Sequence, residues 1–375
     1  MFGQNGAFAA QYEPQMWYNM GVLIRKGGFY HMELMDDILE FLHYHPFSKR
    51  VDVEKGLVVD VSSATVKRTL ARGLADGLIA ASGIGKATTY SITPRAHLLR
   101  TVDLDKYYSN DFASRRVQTG YNFDLIRDIL PEVDVFSDEE KSRLSELQET
   151  FARRMKDMPP AGYRREMERL GIDLSWKSSE IEGNTYTLLE TVNLLRDSIE
   201  AKGKKREEAI MLLNHKEALK AIVERPDYFK NLSLARMEDV HTVLIEGLGV
   251  ERNLRHVRVG ISGTNYRPLE VESQIREAVE DMCRLVNGKS LPYEKALLTL
   301  LLIAYIQPFI DGNKRTSRLM ANALLIAHGY CPLSFRTVDA ADYRAALLLF
   351  YEQNNLSAFK KIFVEQAEFA VREYF

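Results

Sequence analysis

Residues 304–318 read A-Y-I-Q-P-F-I-D-G-N-K-R-T-S-R, and the predicted fold is built around this stretch. An almost wholly apolar run, 296–306, precedes it, and an apolar run with helical spacing, 319–327, follows it. Pro308 ends the first helix because its ring cannot be accommodated in a helix interior. Asp311-Gly312-Asn313 is a sequence typical of a tight turn. The sequence therefore predicts two buried helices joined by a short polar loop.

Three cations, Lys314, Arg315 and Arg318, fall on the first turns of the second helix. The helix dipole already places partial positive charge at this end, so a bound anion would stabilise the arrangement. Free backbone N–H groups, a glycine and three cations predict a phosphate-binding loop. The alternative is a loop whose basic residues are simply solvated. Two features favour the phosphate site: Arg315 and Arg318 share one helix face, and both flanking helices are too apolar for the surface.

Residues 307–318 resemble the signature of the Fic family, His-x-Phe-x-Asp/Glu-Gly-Asn-Gly/Lys-Arg-x-x-Arg, and the similarity extends from about Phe123 to residue 375. The resemblance implies a helical domain that transfers AMP from ATP to a Ser, Thr or Tyr hydroxyl of a protein. The matching positions are Phe309, Asp311, Gly312, Asn313, Lys314, Arg315 and Arg318.

The resemblance also assigns roles to these residues. Asp311 would hold Mg²⁺, which bridges phosphate oxygens. Asn313 and the backbone N–H groups of the turn at Gly312 would hold the α- and β-phosphates. Arg315 and Arg318 would neutralise the outer phosphates.

Two positions qualify this assignment. Gln307 stands where the family has the histidine that accepts the proton of the attacking hydroxyl. A glutamine amide does not titrate near neutral pH, and loss of a general base typically costs about 10² to 10⁴ in rate. The sequence thus predicts an impaired transfer step, either in a natural relative that only binds nucleotide or in a sequence whose catalytic residue has been replaced. In the Doc branch of the family, a lysine at the position of Lys314 accompanies transfer of the γ-phosphoryl group. Lysine also occurs there in adenylylating members, so the sequence leaves both AMP transfer and phosphoryl transfer open.

A second motif, at residues 178–184, precedes the signature. Ser178, Glu182 and Gly183 match the inhibitory pattern of the Fic family, Ser/Thr-x-x-x-Glu-Gly/Asn. The resemblance implies that the Glu182 carboxylate pairs with Arg318 and occupies the cation that would otherwise hold the γ-phosphate of ATP. The alternative is an ordinary helix end with a solvated glutamate. The presence of a Fic signature on the same chain favours the inhibitory interpretation.

The first hundred residues contain eleven Lys and Arg and nine Asp and Glu, and are slightly basic. Helical spacing after His31, a capped helix over 64–78 and a Gly-rich hairpin resemble a winged helix-turn-helix domain over residues 1–105. Binding to DNA is one interpretation, and protein contact is the alternative because the basic excess is small. The predicted DNA-contacting residues are Lys67, Arg68 and Lys86.

Residues 106–375 predict an almost entirely helical Fic domain. A strand signal occurs only at 257–268, where the resemblance implies a β-hairpin flap that holds the target segment by strand addition. The alternative is a structural hairpin that covers the core. The predicted helices are 137–158, 163–179, 188–202, 206–224, 233–245, 270–286, 293–306, 340–354 and 356–374.

The composition is ordinary for a soluble globular protein, with 46% hydrophobic and 27% charged residues and a net charge of −2. Cys283 and Cys331 provide neither a disulfide framework nor a metal-ligand spacing, which suits a reducing cytosol. The start of the sequence shows no signal-peptide pattern, and no apolar run approaches the roughly 20 residues of a membrane span. The sequence therefore predicts a cytoplasmic protein without membrane association.

Together these features predict a mainly α protein that is a Fic-type protein adenylyltransferase, uses ATP and Mg²⁺, is autoinhibited by Glu182 and is impaired by Gln307. The alternative is a nucleotide-sensing DNA-binding regulator with a degenerate Fic domain. The expected partners are ATP or ADP, an unidentified target protein or the chain itself, and DNA. A homodimer is compatible with both functions.

Overall fold

The computed structural model describes residues 34–57, 59–109, 115 and 117–375. The first 33 residues of the predicted 1–105 domain lie outside this range. The described chain is mainly helical, as predicted, and it encloses a small hydrophobic core in the N-terminal module and a large one in the helical domain. Within the described ranges, no helix is both long and apolar enough to cross a membrane.

The N-terminal module contains helices and a hairpin in the predicted order. Ser62 caps one helix, since its side chain accepts a hydrogen bond from the Thr65 amide. In the hairpin, Ile79 pairs with Ile92 and Ser82 pairs with Thr89 in antiparallel register. The assignment of this arrangement as a winged helix-turn-helix stays a prediction. The elements are α1 (Leu34–Tyr44), α2 (Arg50–Gly56), α3 (Ser63–Ala75), β1 (Ile79–Ser82), β2 (Thr89–Ile92) and α4 (Pro94–Leu99).

The large domain is helical, and each helix predicted from the sequence overlaps an observed one. The clearest difference is the helix predicted over 188–202, which ends at Asp197 because Ser198 adopts a left-handed backbone with φ of 58°. The helices are α5 (Leu104–Ser109), α6 (Asp138–Asp157), α7 (Pro160–Ile181), α8 (Leu188–Asp197), α9 (Arg206–Glu224), α10 (Leu234–Leu244), α11 (Glu272–Gly288), α12 (Pro292–Ile306), α13 (Asn313–Ala327), α14 (Ala340–Gln353) and α15 (Ser357–Tyr374). Short helical turns of other types are Gly85–Ala87, Leu125–Ile129, Leu130–Glu132 and Pro226–Phe229.

Helix α12 is the centre of the large core, and every one of its side chains is buried. Helix α13 packs against it along its length and is also buried over most of its residues. The loop between these helices therefore has a fixed frame on both sides. This arrangement confirms the prediction of two buried helices that flank a polar loop.

The transition between the two cores falls within α4. Ala96 belongs to the small core, whereas Leu98 belongs to the large one, ahead of the predicted boundary at residue 105. The connection continues after α14, where the Leu356 amide donates to the Leu98 carbonyl at 2.9 Å. Nearby, Nδ2 of Asn355 donates to the Arg100 carbonyl at 2.9 Å. The N-terminal module is thus attached to the large domain by buried polar contacts.

The hairpin predicted over 257–268 is wrong in its pairing. The structure has a turn at residues 262–263, but this segment contains no strand. Its return side is held elsewhere, because the Arg267 amide donates to the Thr119 carbonyl at 3.0 Å and the Tyr266 hydroxyl donates to the Tyr305 carbonyl at 2.9 Å. These contacts tie the return side to Thr119 and Tyr305, and the outgoing arm, 257–261, contains no strand. Its role as a flap stays a prediction.

Candidate active site

The loop 307–312 reverses the chain through two left-handed residues. Gln307 ends α12 with φ of 52°, and Gly312 precedes α13 with φ of 79°. A glycine is favoured at 312 because its φ is positive, a conformation that residues with a Cβ rarely adopt. Gln307 has no such steric freedom, so contacts of its side chain must hold it in this conformation.

Asn313 closes the loop with its side chain. Its Oδ1 accepts a hydrogen bond from the Phe309 amide at 2.8 Å, and its Nδ2 donates to the Phe309 carbonyl at 2.8 Å. The same Nδ2 donates to Oε1 of Gln307 at 2.9 Å. Asn313 therefore fixes both the backbone of the turn and the side chain at the first signature position.

The amide of Gln307 is satisfied within the protein. Its Nε2 donates to the Ala304 carbonyl at 2.6 Å, and its Oε1 accepts from Asn313. Its backbone carbonyl accepts from Nε of Arg255 at 2.6 Å. With 8% of its surface exposed, Gln307 is held as part of the loop. These contacts leave its amide engaged on both the donor and the acceptor side.

Glu182 lies between two of the three cations at the start of α13. One carboxylate oxygen, Oε1, lies 2.8 Å from Nη2 of Arg318, and the other, Oε2, lies 2.6 Å from Nζ of Lys314. Burial alone would raise the pKa of the Glu182 carboxyl, but the charges of Arg318 and Lys314 hold that pKa below its ordinary value. The anion expected at this helix start is therefore supplied by the chain itself.

Arg318 is fully buried and held by several groups besides Glu182. Its Nε donates to Oγ of Ser178 at 2.9 Å, and its Nη2 donates to the Ser178 carbonyl at 2.9 Å. Its guanidinium carbon lies 5.5 Å from the ring centre of Tyr343. Gly183 follows Glu182 with φ of 95° and ends α7. Ser178 and Glu182 of the second motif thus contact Arg318 of the signature helix, whereas Gly183 only follows them at the end of α7.

Arg315 and Asp311 form a separate ion pair on the outer side of the loop. Nη2 of Arg315 lies 3.2 Å from Oδ2 of Asp311, while Oδ1 of Asp311 accepts from the Gly312 amide at 2.6 Å. The Arg315 side chain is 3% exposed and the Asp311 side chain is 64% exposed. The carboxylate of Asp311 therefore presents a hard oxygen donor to solvent, which is the ligand type that Mg²⁺ prefers.

Two residues of the site were not found from the sequence. The ring of His241 stacks on Phe309 with centres 3.8 Å apart, and its Nε2 lies 2.9 Å from the Asp311 carbonyl. A carbonyl can only accept, so Nε2 carries the proton. Burial, reinforced by the charge of Arg315, lowers the pKa of His241 to about 4, and the imidazole is neutral at pH 7. Arg255 is the other, because it binds the Gln307 carbonyl and lies in the turn-rich segment after α10.

The sequence carried a weak signal for His241 and none for Arg255. His241 lies on the buried face of α10 together with Met237, Val240 and Leu244, so the spacing indicates burial without indicating a role. The predicted DNA contacts lie in the N-terminal module, away from the elements of the loop. Lys67 and Arg68 are exposed on α3, and Lys86 is exposed in the turn between β1 and β2.

Residues 231–325, which include this loop, match the model of the Fic/DOC family. This part of the chain is therefore a Fic/DOC family domain, and the second motif lies ahead of it. The chain is similar to a protein adenylyltransferase Fic of Nematostella vectensis, with 28% identity over 181 residues, 45% of this chain and 40% of that protein. It is 33% identical to a protein adenylyltransferase Fic of Drosophila willistoni over 166 residues, 42% of this chain and 32% of that protein. The chain thus spans less than half the length of these relatives.

Solved structures share the fold. A segment of Fic-1 from C. elegans superposes with a TM-score of 0.53 at 19% identity, covering 63% of this chain and 71% of that one. A Fic domain-containing signaling protein from Bacteroides thetaiotaomicron gives a TM-score of 0.52 at 17% identity, covering 61% and 96%. At these identities the likeness establishes the helical fold.

Proposed function

We propose that this chain is a Fic-type protein adenylyltransferase, which transfers AMP from ATP to a hydroxyl of a target protein or of the chain itself. The observation that carries the proposal is the position of Glu182, whose carboxylate bridges Lys314 and Arg318 at 2.6 and 2.8 Å. A carboxylate held by two cations at a helix start marks the place where a nucleotide phosphate would bind. The names of the similar proteins support the reaction.

The loop supplies the groups that this reaction needs around the phosphates. Asn313 and the backbone N–H groups after Gly312 would bind the inner phosphates, and Arg315 and Arg318 would neutralise the outer ones. Asp311 would hold Mg²⁺ through its exposed carboxylate. When bound, the ion would neutralise charge on the phosphates. His241 supports Asp311 from behind through the backbone carbonyl.

Glu182 would act as an intrachain inhibitor. Its two contacts engage the cations that the γ-phosphate needs, so nucleotide binding in a productive orientation requires the carboxylate to leave. Leaving is costly because Arg318 is fully buried and would lose its charged partner. A nucleotide without a γ-phosphate does not need Lys314 and Arg318 to be released from Glu182. ADP is therefore expected to bind with Glu182 in place, and ATP to bind more strongly once Glu182 is removed.

Gln307 would limit the transfer step itself. Both polar atoms of its amide are engaged, with the Ala304 carbonyl and with Asn313, and neither can accept a proton from an attacking hydroxyl. The chain is therefore expected to bind nucleotide well and to transfer AMP poorly.

The proposal is tested with α-labelled ATP and Mg²⁺, comparing the chain with its Gln307→His variant and with a Gln307→His, Arg315→Ala double variant. We expect weak labelling of protein by the chain, more by Gln307→His, and none by the double variant. Strong labelling by the unmodified chain would contradict the assigned role of Gln307. Equal nucleotide affinity in the chain and in an Arg315→Ala variant would contradict the phosphate site.

A second function, a nucleotide-sensing DNA-binding regulator, is favoured by the exposure of Lys67 and Arg68 on the capped helix α3 and of Lys86 in the hairpin turn. These three cations of the N-terminal module would contact the phosphates of a DNA duplex. Retention on duplex DNA that weakens with salt, without labelling of any protein, would favour this function.

A further inference from the structure

His215, on α9, is fully buried, and within the described residues its side-chain hydrogen-bond partner is Ser175. Its Nδ1 lies 3.2 Å from Oγ of Ser175, and that hydroxyl donates its hydrogen to the Gly171 carbonyl at 2.7 Å. A serine hydroxyl has only one hydrogen, so towards His215 it must accept. The imidazole therefore carries its proton on Nδ1 and has a free lone pair on Nε2.

Among the buried polar atoms that lack a partner in the described part of the chain, three belong to His215 and to the two arginines whose charges act on it. They are Nε2 of His215 itself, Nη1 of Arg315 and Nη1 of Arg318. One of them is an acceptor and two are donors. Buried polar atoms in proteins are nearly always paired, often through an ordered water. One water molecule could therefore donate to the acceptor and accept from both donors.

The helices bring these groups together. Ser175 and Ser178 lie three residues apart on α7, so they share one face of that helix. Ser175 contacts His215, and Ser178 accepts from Nε of Arg318. Helix α9 packs against both α7 and α13, which carries Arg315 and Arg318. Burial, followed by the charges of Arg318 and Arg315, lowers the pKa of His215 to about 3, so the imidazole is neutral at pH 7.

We propose that His215 is a positioning residue of the phosphate site, which holds the guanidinium groups of Arg315 and Arg318 through one buried water. The water would donate one hydrogen to Nε2 and accept from both Nη1 atoms, so every atom of the set is satisfied. A relay then runs from the Gly171 carbonyl through Ser175 and His215 to the arginines. This role rests on the proposed function, because the arginines matter only if the cradle binds phosphate.

The test uses two replacements of His215 that differ in polarity. His215→Gln keeps a donor and an acceptor, whereas His215→Leu removes both at similar volume. With ADP and Mg²⁺ as the probe in calorimetry, we expect the Leu variant to bind about five- to tenfold more weakly, the effect of one hydrogen bond, and the Gln variant to bind nearly as the parent does. Ile222→Val, elsewhere in the core face of α9, is the control for a loss of stability, and its ADP affinity should not change. Unchanged affinity in the Leu variant would overturn the proposal.

Long-range ¹H–¹⁵N spectra of the histidines report the tautomer and protonation state of His215, and this second test needs no nucleotide. We expect the neutral Nδ1–H tautomer for His215 throughout the neutral range, and slow solvent exchange of the Arg318 guanidinium protons in the parent and the Gln variant but not in the Leu variant. An Nε2–H tautomer, or titration near pH 6.5, would overturn the proposal. If ADP binds to no variant, including Glu182→Gly, the proposed function fails while these spectra still decide the role of His215.

Discussion

The side-chain amide of Asn313 donates a hydrogen bond to Oε1 of Gln307 across 2.9 Å, and so joins the end of α12 to the start of α13. Gln307 sits in a left-handed conformation that costs about 1 to 3 kcal/mol when nothing supports it. The Asn313 side chain supports the loop that contains Gln307 by three hydrogen bonds, two donated by Nδ2 and one accepted by Oδ1. The geometry of the phosphate site therefore depends on one buried amide.

Asn313→Ala should accordingly destabilise the protein by about 2 to 4 kcal/mol, since it removes three hydrogen bonds that each contribute about 1 kcal/mol. Asn313→Asp is the matched control, because it keeps the acceptor for the Phe309 amide and loses the donor. We expect it to fall between the parent and the Ala variant in denaturant unfolding. A loss below about 0.5 kcal/mol in the Ala variant would show that the turn holds without this side chain.

Arg318 and Glu182 should show strong energetic coupling. Arg318→Met leaves the Glu182 carboxylate buried with Lys314 as its remaining cation, and Glu182→Gln leaves the fully buried Arg318 without an anion. Each single change should cost about 3 to 5 kcal/mol, and the double change should cost less than their sum. Equilibrium unfolding of the four proteins measures this.

The exposed pair Arg276 and Glu272 provides the reference for that measurement, because its side chains are 48% and 49% exposed. Arg276→Ala should change the free energy of unfolding by less than about 1 kcal/mol. Comparable effects at the two sites would mean that the contact of Arg318 with Glu182 contributes no more than a surface ion pair.

Acid should weaken the fold through the two neutral histidines. The pKa values of His215 and His241 are lowered to about 3 and about 4, below the ordinary 6.5 that applies to the unfolded chain. A lowered folded-state pKa contributes stability above the unfolded value, and that stability is lost as pH falls from 6.5 towards 3. Each histidine should add a slope of about 1.4 kcal/mol per pH unit between pH 6.5 and its own folded-state pKa.

Denaturant unfolding at several pH values measures how the free energy of unfolding changes with pH. His215→Leu should reduce this slope by the contribution of one histidine, about 1.4 kcal/mol per pH unit. The contribution of Glu182 is separable, because its lowered pKa affects stability only below the ordinary carboxylate value of 4.5. An unchanged slope in the Leu variant would show that His215 is not neutral in the folded protein.

Affinity for duplex DNA, if the N-terminal module provides it, should fall as salt is raised. Lys67→Ala and Arg68→Ala should each lower the slope of log affinity against log salt by about 1, since each would remove one phosphate contact. Lys220→Ala, an exposed cation on α9 in the large domain, should leave the slope unchanged. Absence of any duplex affinity would mean that the module binds protein.

The fold was predictable where a pattern is local. The apolar run before Pro308 and the tight-turn residues after it predict α12, the loop and α13, and the structure has them at those positions. The hairpin at 257–268 was predicted from alternation alone. Its pairing fails because distant partners, Thr119 and Tyr305, take the return side.

The site was predictable for residues that a motif contains and not for those that act from outside it. Glu182 and Arg318 are 136 positions apart, yet two motifs indicated their contact. His241 and Arg255 bind backbone carbonyls of Asp311 and Gln307, and a carbonyl is present at every residue. No residue type in the sequence marks which carbonyl a side chain will reach, so these supports required the structure.

Glu182 and Gln307 should limit the proposed reaction together. Glu182→Gly frees Lys314 and Arg318 for the γ-phosphate, but it supplies no base. Gln307→His supplies a base and leaves the two cations engaged, at 2.6 and 2.8 Å from the carboxylate. Each single variant should therefore give little labelling with α-labelled ATP, and the double variant should give much more than their sum. The four proteins are compared at equal ATP and Mg²⁺ concentrations. A triple variant that adds Arg315→Ala to the double variant is the control, and it should incorporate no label. If Gln307→His alone labels as strongly as the double variant, Glu182 is a structural residue at the end of α7 and not an inhibitor.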